Sequence, residues 1–189
     1  MRELSEIRKD IDRIDEEIRE LLMQRLDCSE EVVQAKICDQ NYVIYRGDRE
    51  KSMLERLGSK VPEKRREGYL AVVRKVTETS RMYQYGFLFE QVPELFEELT
   101  GEIDLKTPTD LVTVYLERAD VPNSMSAILS MIGDYGFDME QMRLDGYSGD
   151  HRAAKFELTI RGDITLERMQ KLLLQLAMES ENFRILSCR

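Results

Sequence analysis

The sequence contains no tryptophan and only one histidine, His151. A single imidazole argues against a metal centre and against Ser-His or Cys-His catalysis. The three cysteines, Cys28, Cys38 and Cys188, are odd in number and lack CxxC spacing. This pattern favours a reducing cytoplasm over a disulfide framework or a zinc site. The sequence therefore predicts no metal site.

Long apolar runs and a dominant basic charge are also lacking. No stretch of 18 apolar residues occurs, and Met1 leads directly into a charged segment, so we expect a cytoplasmic protein without a membrane span or signal peptide. The net charge is −9, with 18 basic against 19 acidic residues in 1–92 and 10 against 18 in the remainder. A nucleic-acid partner would require a basic face. Any bound anion is expected to be small and held by a few cations.

Glycine and proline are absent before Gly47, and one apolar seam at heptad spacing runs through this segment. The seam positions are Leu4, Ile7, Ile11, Ile14, Ile18, Leu21, Arg25, Cys28, Val32 and Ala35. A helix of this extent is about 50 Å long, which exceeds the width of a domain of about ninety residues. We therefore predict a homodimer in which an identical helix covers the seam.

Three cations lie on or beside this seam. Arg25 occupies an inward position, whereas Arg8 and Lys36 flank the seam in the same heptad slot. Arg8 and Lys36 are about 40 Å apart along a straight helix, so one chain cannot place both in one pocket. In an antiparallel dimer the partner's Arg8 would approach Arg25 and Lys36. The alternative is a register-setting arginine with two solvated cations, and spacing alone leaves both interpretations open.

A second, short helix is predicted after Gly47. Asp48 can cap it, and it ends near Gly58. Arg49 and Glu50 fall in its first turn, where they face either a pocket or water.

The third helix is predicted to begin after Pro62. Ser80 and Gln84 lie one turn apart on its otherwise apolar face. A buried amide without a partner costs about 1–3 kcal/mol. We therefore expect water, the dimer partner or a ligand to meet Gln84.

Residues 93–109 are acidic and contain two prolines, which predicts a linker between a helical domain at 1–92 and a second domain at 110–189. In the second domain, strands are predicted at 111–116, 137–144, 153–160 and 183–186, and helices at Ser124–Asp134 and after Thr165. The order β-α-β-β-α-β is typical of a ferredoxin-like sandwich. The fold class is thus α+β with two domains.

Seven polar positions across the three helices, with the strings LLMQRLDCSEEVVQAK, DREKSMLERL and ETSRMYQ, resemble the all-helical class of chorismate mutase over residues 4–90. The positions are Arg8, Arg25, Lys36, Arg49, Glu50, Ser80 and Gln84. The resemblance implies an intertwined homodimer with two equivalent sites. Each site would isomerise chorismate to prephenate, a step of aromatic amino acid biosynthesis in the shikimate pathway.

The resemblance also implies a role for each position. The partner's Arg8 and Arg25 would hold the substrate carboxylates, with support from Arg49 and a hydrogen bond from Ser80. In such a site the remaining residues surround the reacting ring. They would be Lys36 and Gln84 beside the ether oxygen, and Glu50 on the ring hydroxyl.

The physical requirements of the reaction agree with these roles. A Claisen rearrangement needs no nucleophile, metal or cofactor, so the resemblance implies none, but it needs a folded dianion and donors aimed at the oxygen that gains charge. One such donor is typically worth about 3–4 kcal/mol. Members of the family usually place an Asp three residues before Arg49, where this chain has Arg46. We expect a rearranged loop at 40–47 and a larger effect on substrate affinity than on chemistry.

Residues 110–189 resemble an ACT-type regulatory domain, through their topology and the loop Asp120-Val121-Pro122-Asn123-Ser124. ACT domains often carry Asp-x-Pro-Gly here, and Asn123 replaces the glycine. The resemblance implies that phenylalanine or tyrosine binds at Asp120, Asn123 and Ser124 and regulates the mutase, and that pairing of these domains could build a higher oligomer. The alternatives are a purely structural dimerisation domain and, for the whole chain, a non-catalytic ligand sensor with a degenerate mutase site, which Arg46 favours.

Overall fold

In a computed structural model, which describes residues 2–121, 124–149 and 152–189, the chain forms two compact units. The units are Met1–Phe87 and Leu88–Arg189. Their boundary lies five residues before the boundary expected at 92. Within these described ranges, no helix combines the length and the apolar character needed to cross a bilayer.

The first unit consists of three helices, as expected. Helix α1 is Leu4–Cys38, α2 is Gly47–Gly58 and α3 is Glu63–Gln91, so the last turn of α3 belongs to the second unit. The expected cap at Asp48 is wrong, because the N-cap residue of α2 is Arg46 and makes no side-chain capping bond. Asp48 lies inside the first turn, where a negative charge still interacts favourably with the helix dipole.

The two halves of α1 differ in burial. Six seam residues in its N-terminal half are 37–63% exposed, namely Leu4, Ile7, Ile11, Ile14, Ile18 and Leu21. In the C-terminal half, Ser29 and Val33 are buried, while the seam positions Cys28 and Val32 are exposed. The face buried within the chain is therefore rotated by one residue from the seam, because a 3.5-residue repeat drifts around a 3.6-residue helix.

The second unit is an antiparallel sheet with helices. Its elements are α4 (Glu94–Thr100), β1 (Leu111–Ala119), α5 (Ser124–Asp134), β2 (Asp138–Tyr147), β3 (Ala153–Arg161), α6 (Glu167–Met178) and β4 (Glu181–Cys188). The strand order is β2-β3-β1-β4, which confirms the predicted α+β fold with its ferredoxin-like order. All four strands extend beyond the predicted ranges. The expected linker contains α4, and Phe96 of this helix is buried in the core of the second unit.

The core of the second unit follows the two-residue period of its strands. Val112 and Val114 of β1 and Leu158 of β3 are fully buried on one face, together with residues of α5 and α6. The alternate positions face the other side of the sheet, where the hydroxyls of Thr113 and Thr159 are 3.2 Å apart. One face of the sheet is thus apolar and helix-covered, and the other is polar.

Candidate active site

A pocket of about 350 Å³ lies among the three helices of the first unit. Six of the seven positions predicted to bind substrate line it, namely Arg25, Lys36, Arg49, Glu50, Ser80 and Gln84. The seventh, Arg8, is exposed near the N-terminal end of α1 and does not line the pocket. The three helices therefore bring six of the seven predicted polar residues together in one pocket.

Arg25 lines the pocket and connects α1 to α3. Its Nη1 donates to the hydroxyl of Ser80, and it lies 3.5 Å from the carbonyl oxygen of Val76. The Ser29 hydroxyl donates to the carbonyl oxygen of Arg25 at 3.0 Å, and Ser29 and Ser80 are 6% and 3% exposed. The guanidinium is thus held by buried neighbours, which suits a planar fork that binds a carboxylate.

Lys36 connects the end of α1 to the segment that precedes α2. Its ammonium donates to the carbonyl oxygen of Val43. Burial lowers the pKa of Lys36, and the positive charges of Arg46 and Arg49 lower it further. Three cations therefore approach one another closely enough to interact. Across the described ranges, no carboxylate forms a salt bridge with Arg46 or Arg49.

Glu50 is the one acidic side chain among the described residues that line the pocket. Nη1 of Arg81 donates to both of its oxygens, at 2.6 and 2.5 Å. The Arg81 side chain is 11% exposed, and its Cζ lies 4.9 Å from the centre of the Tyr45 ring. Glu50 is therefore held in place by a largely buried arginine that is itself stacked on an aromatic ring.

Sequence reasoning missed Arg81 and noted Arg46 only as a departure from the resembled family. Both line the pocket. Arg81 is 31 positions from Glu50, so no local pattern links the two. Its one signal is its place directly after Ser80, on a helix face that was already expected to meet something polar.

A second pocket, of about 260 Å³, lies in the second unit beside the loop expected to bind an effector. Asp120, Ser124 and Met125 line it, with Phe156 of β3. The backbone N–H of Asp120 donates to the carbonyl oxygen of Arg152 at 2.8 Å. The third residue expected there, Asn123, lies outside the described residues.

Residues able to ligate a metal are dispersed over the described part of the chain. No group of three or more His, Cys, Asp or Glu side chains within 2–121, 124–149 and 152–189 is placed to hold a metal ion. The only histidine, His151, lies outside these ranges. Of the three free cysteines, Cys28 lines the first pocket.

Comparison with known proteins bears on the first unit. Residues 7–85 match the model of the family described as chorismate mutase type II. No curated protein matches the chain. The matched segment contains α2, nearly all of α1 and every side chain of the pocket described above. Residues 7–85 are thus similar in sequence to chorismate mutase type II domains.

Proposed function

We propose that this protein is a chorismate mutase, which rearranges chorismate to prephenate in aromatic amino acid biosynthesis. The observation that carries the proposal is the convergence of Arg25, Lys36, Arg49, Glu50 and Gln84 on one pocket, within the segment that matches the family. A pericyclic reaction is accelerated by holding the substrate in its reactive conformer and by stabilising the charge that develops. The pocket supplies charged groups suited to both tasks.

Arg25 and Arg49 bind the two carboxylates of the substrate in this proposal. Ser80 holds the guanidinium of Arg25, and its buried hydroxyl remains close to the bound carboxylate. Arg49 has no carboxylate partner among the described residues. A carboxylate of the substrate would therefore be the first anionic group that it binds. The two arginines would fix both ends of the dianion and fold it towards the geometry in which the new C–C bond forms.

Lys36 and Gln84 stabilise the transition state from either side of the ether oxygen. That oxygen gains negative charge as the C–O bond breaks, and the Lys36 ammonium and the Gln84 amide are donors suited to it. Glu50 accepts the hydrogen of the ring hydroxyl. Arg81 keeps the Glu50 carboxylate in a fixed orientation.

The working form is proposed to be an antiparallel homodimer. The stripe from Leu4 to Leu21 is apolar and exposed over the N-terminal half of α1, and an identical helix offers a surface of the same length and spacing. Burial of apolar area contributes about 25 cal/mol per Å². Antiparallel packing would bring the partner's Arg8 towards the Arg25 and Lys36 end of the pocket. The seventh predicted residue would then complete the site from the other subunit.

The enzyme assay is the loss of chorismate absorbance with purified full-length protein. Lys36→Ala should lower turnover by roughly a hundredfold or more, without loss of helix content, because alanine is the best helix former. Lys60→Ala is the matched control, since Lys60 is exposed and does not line the pocket. Normal turnover by a folded Lys36→Ala protein would contradict the proposal.

Regulation by an aromatic amino acid is the second part of the proposal. The pocket beside Asp120 and Ser124 would bind phenylalanine or tyrosine in a domain of ACT type. Coupling requires that the amino acid prefer one of two conformations, typically by about 1–3 kcal/mol. The helix that carries Ser80 and Gln84 continues into the second unit at Leu88–Gln91. It is therefore the element through which such a preference would act.

Calorimetric titration with each aromatic amino acid tests the regulation. Binding at millimolar concentration that also changes turnover would support the coupling. If neither amino acid binds, the second unit is a structural domain. The rival function, a non-catalytic sensor with a degenerate mutase site, is favoured by the extra cation Arg46 in the pocket. It would be supported if phenylalanine or tyrosine bound while chorismate remained unchanged.

A further inference from the structure

The pocket of the first unit has a surplus of positive charge. Five cationic side chains line it, against the one carboxylate of Glu50. Arg81 already binds both oxygens of that carboxylate. Four cations therefore remain, and a dianionic ligand would compensate only two of them.

The four remaining cations differ in their partners. Arg25 is held by Ser80, and Lys36 by the carbonyl oxygen of Val43. Arg46 and Arg49 form no salt bridge with any described carboxylate. The charges of both arginines lower the pKa of Lys36, so Arg46 acts electrostatically within the pocket. Like charges assembled without counter-charge destabilise the free protein, and an anionic ligand would relieve this repulsion.

Arg46 lies one helical turn before Glu50, yet the two side chains do not form an ion pair. The two residues are at i and i+4 across the start of α2, and the backbone N–H of Glu50 donates to the carbonyl oxygen of Arg46 at 3.0 Å. Residues at this spacing are neighbours on a helix, and an Arg–Glu pair here commonly forms an ion pair. Glu50 instead binds Arg81. The Arg46 side chain makes no capping bond and lines the pocket beside an acid that another residue holds.

We propose that Arg46 is a specificity-determining residue that donates to a third acceptor group of the ligand, the group that also faces Glu50. This proposal rests on the proposed function for the identity of the substrate, but not for the preference among anions. In chorismate the third acceptor is the oxygen of the ring hydroxyl, which donates its hydrogen to Glu50 and accepts from Arg46. A hydroxyl has one hydrogen and two lone pairs, so it satisfies both residues at once. With an ionised group at that place, the pocket would bind a trianion more tightly than a dianion.

Kinetics with Arg46→Gln, Arg46→Lys and the control Arg56→Gln test the role in the reaction. Arg56 lies in the last turn of the same helix and does not line the pocket. Arg46→Gln should raise KM for chorismate by roughly tenfold to a hundredfold, as expected for loss of one charge-assisted hydrogen bond. The value of kcat should stay within about twofold, because the contact is equal in substrate and transition state. Arg46→Lys should recover part of the loss. An unchanged KM in Arg46→Gln, or an equal rise in Arg56→Gln, would overturn the proposal.

A binding measurement separates this proposal from the proposed function. At equal ionic strength, citrate should raise the Tm of the wild-type protein more than succinate does, and Arg46→Gln should abolish the difference. This result would support the role of Arg46 even if the protein left chorismate unchanged, which would refute only the mutase assignment. Equal shifts with citrate and succinate in the wild-type protein would overturn the preference for a third anionic group.

Discussion

Replacement of Arg81 by leucine should weaken both the fold of the first unit and its affinity for substrate. Arg81 holds both oxygens of Glu50 at 2.6 and 2.5 Å, and the two side chains are 11% and 24% exposed. Loss of one partner of a fully buried pair typically costs about 3–5 kcal/mol, and of an exposed pair at most about 1 kcal/mol. For this partly buried pair, we expect a loss of roughly 1.5–3 kcal/mol of unfolding free energy, the range of hydrogen bonds to charged groups.

A double-mutant cycle isolates the contribution of the pair. Arg81→Leu, Glu50→Gln and the double variant would be unfolded with urea at one protein concentration, because the stability of a dimer depends on that concentration. The coupling energy should be about 1 kcal/mol or more, as is usual for residues in direct contact. Arg81→Lys keeps the positive charge and should therefore retain part of the coupling energy.

Kinetics separate orientation from stability. If Arg81 fixes Glu50 for the ring hydroxyl, Arg81→Leu should raise KM for chorismate well below the temperature at which the variant unfolds. Additive costs in the cycle, within about 0.3–0.5 kcal/mol, would refute the reasoning for stability. An unchanged KM in the folded variant would refute it for function.

Three further predictions concern assembly and charge. Mixed Arg8→Ala and Lys36→Ala chains should regain activity, because one of the two sites in a heterodimer draws both intact residues from different chains; demonstrated heterodimers without activity would exclude a shared site. Ile14→Asp should yield monomers in sedimentation experiments, since a charge in an apolar interface is costly, and a dimer of normal affinity would place the interface elsewhere. Turnover should fall as the pH rises through the pKa of Lys36, at a lower pH than for an ordinary lysine. In Arg46→Gln this decline should move to higher pH, because one of the charges that lower the pKa is gone; an unmoved pH–rate profile would contradict this.

The regular elements could be predicted because each depends on a local pattern. Without glycine or proline before Gly47, nothing interrupts α1, and the two-residue alternation around Val112 and Val114 marks β1. The end of β2 shows the limit of such patterns. Asp145 and Gly146 have the composition of a turn, yet β2 continues to Tyr147 through a register shift. Glycine tolerates the positive φ of 132° found there, which a sequence pattern cannot reveal.

The site could be predicted only as far as helix geometry and resemblance reach. Spacing put Lys36 beside the seam of α1 and put Ser80 and Gln84 on the apolar face of α3, and the family resemblance assigned them to one site. These three residues line one pocket. The pairing of Glu50 with Arg81 could not be found this way. The pairing depends on how α2 and α3 pack against each other, and on which of the cations that line the pocket lies nearest to Glu50. Such choices are decided by tertiary packing, over which local propensity has no influence.

The exposed stripe of α1 bears on the role of Arg8. Within the described ranges, the apolar side chains from Leu4 to Leu21 are largely accessible to water, and Arg8 lies on the same half of α1, about 40 Å from Lys36 along the helix axis. A partner helix that covered the stripe in parallel would leave Arg8 beside its own copy, where like charges repel. An antiparallel partner that covered the whole seam from Leu4 to Ala35 would also bury this stripe, and it would place the partner's Arg8 opposite the segment between Arg25 and Lys36, beside a pocket with a bound dianion. Stability and catalysis thus favour the same arrangement. If an Arg8→Ala protein formed a stable dimer with normal activity, covering the apolar stripe would not serve to complete the site.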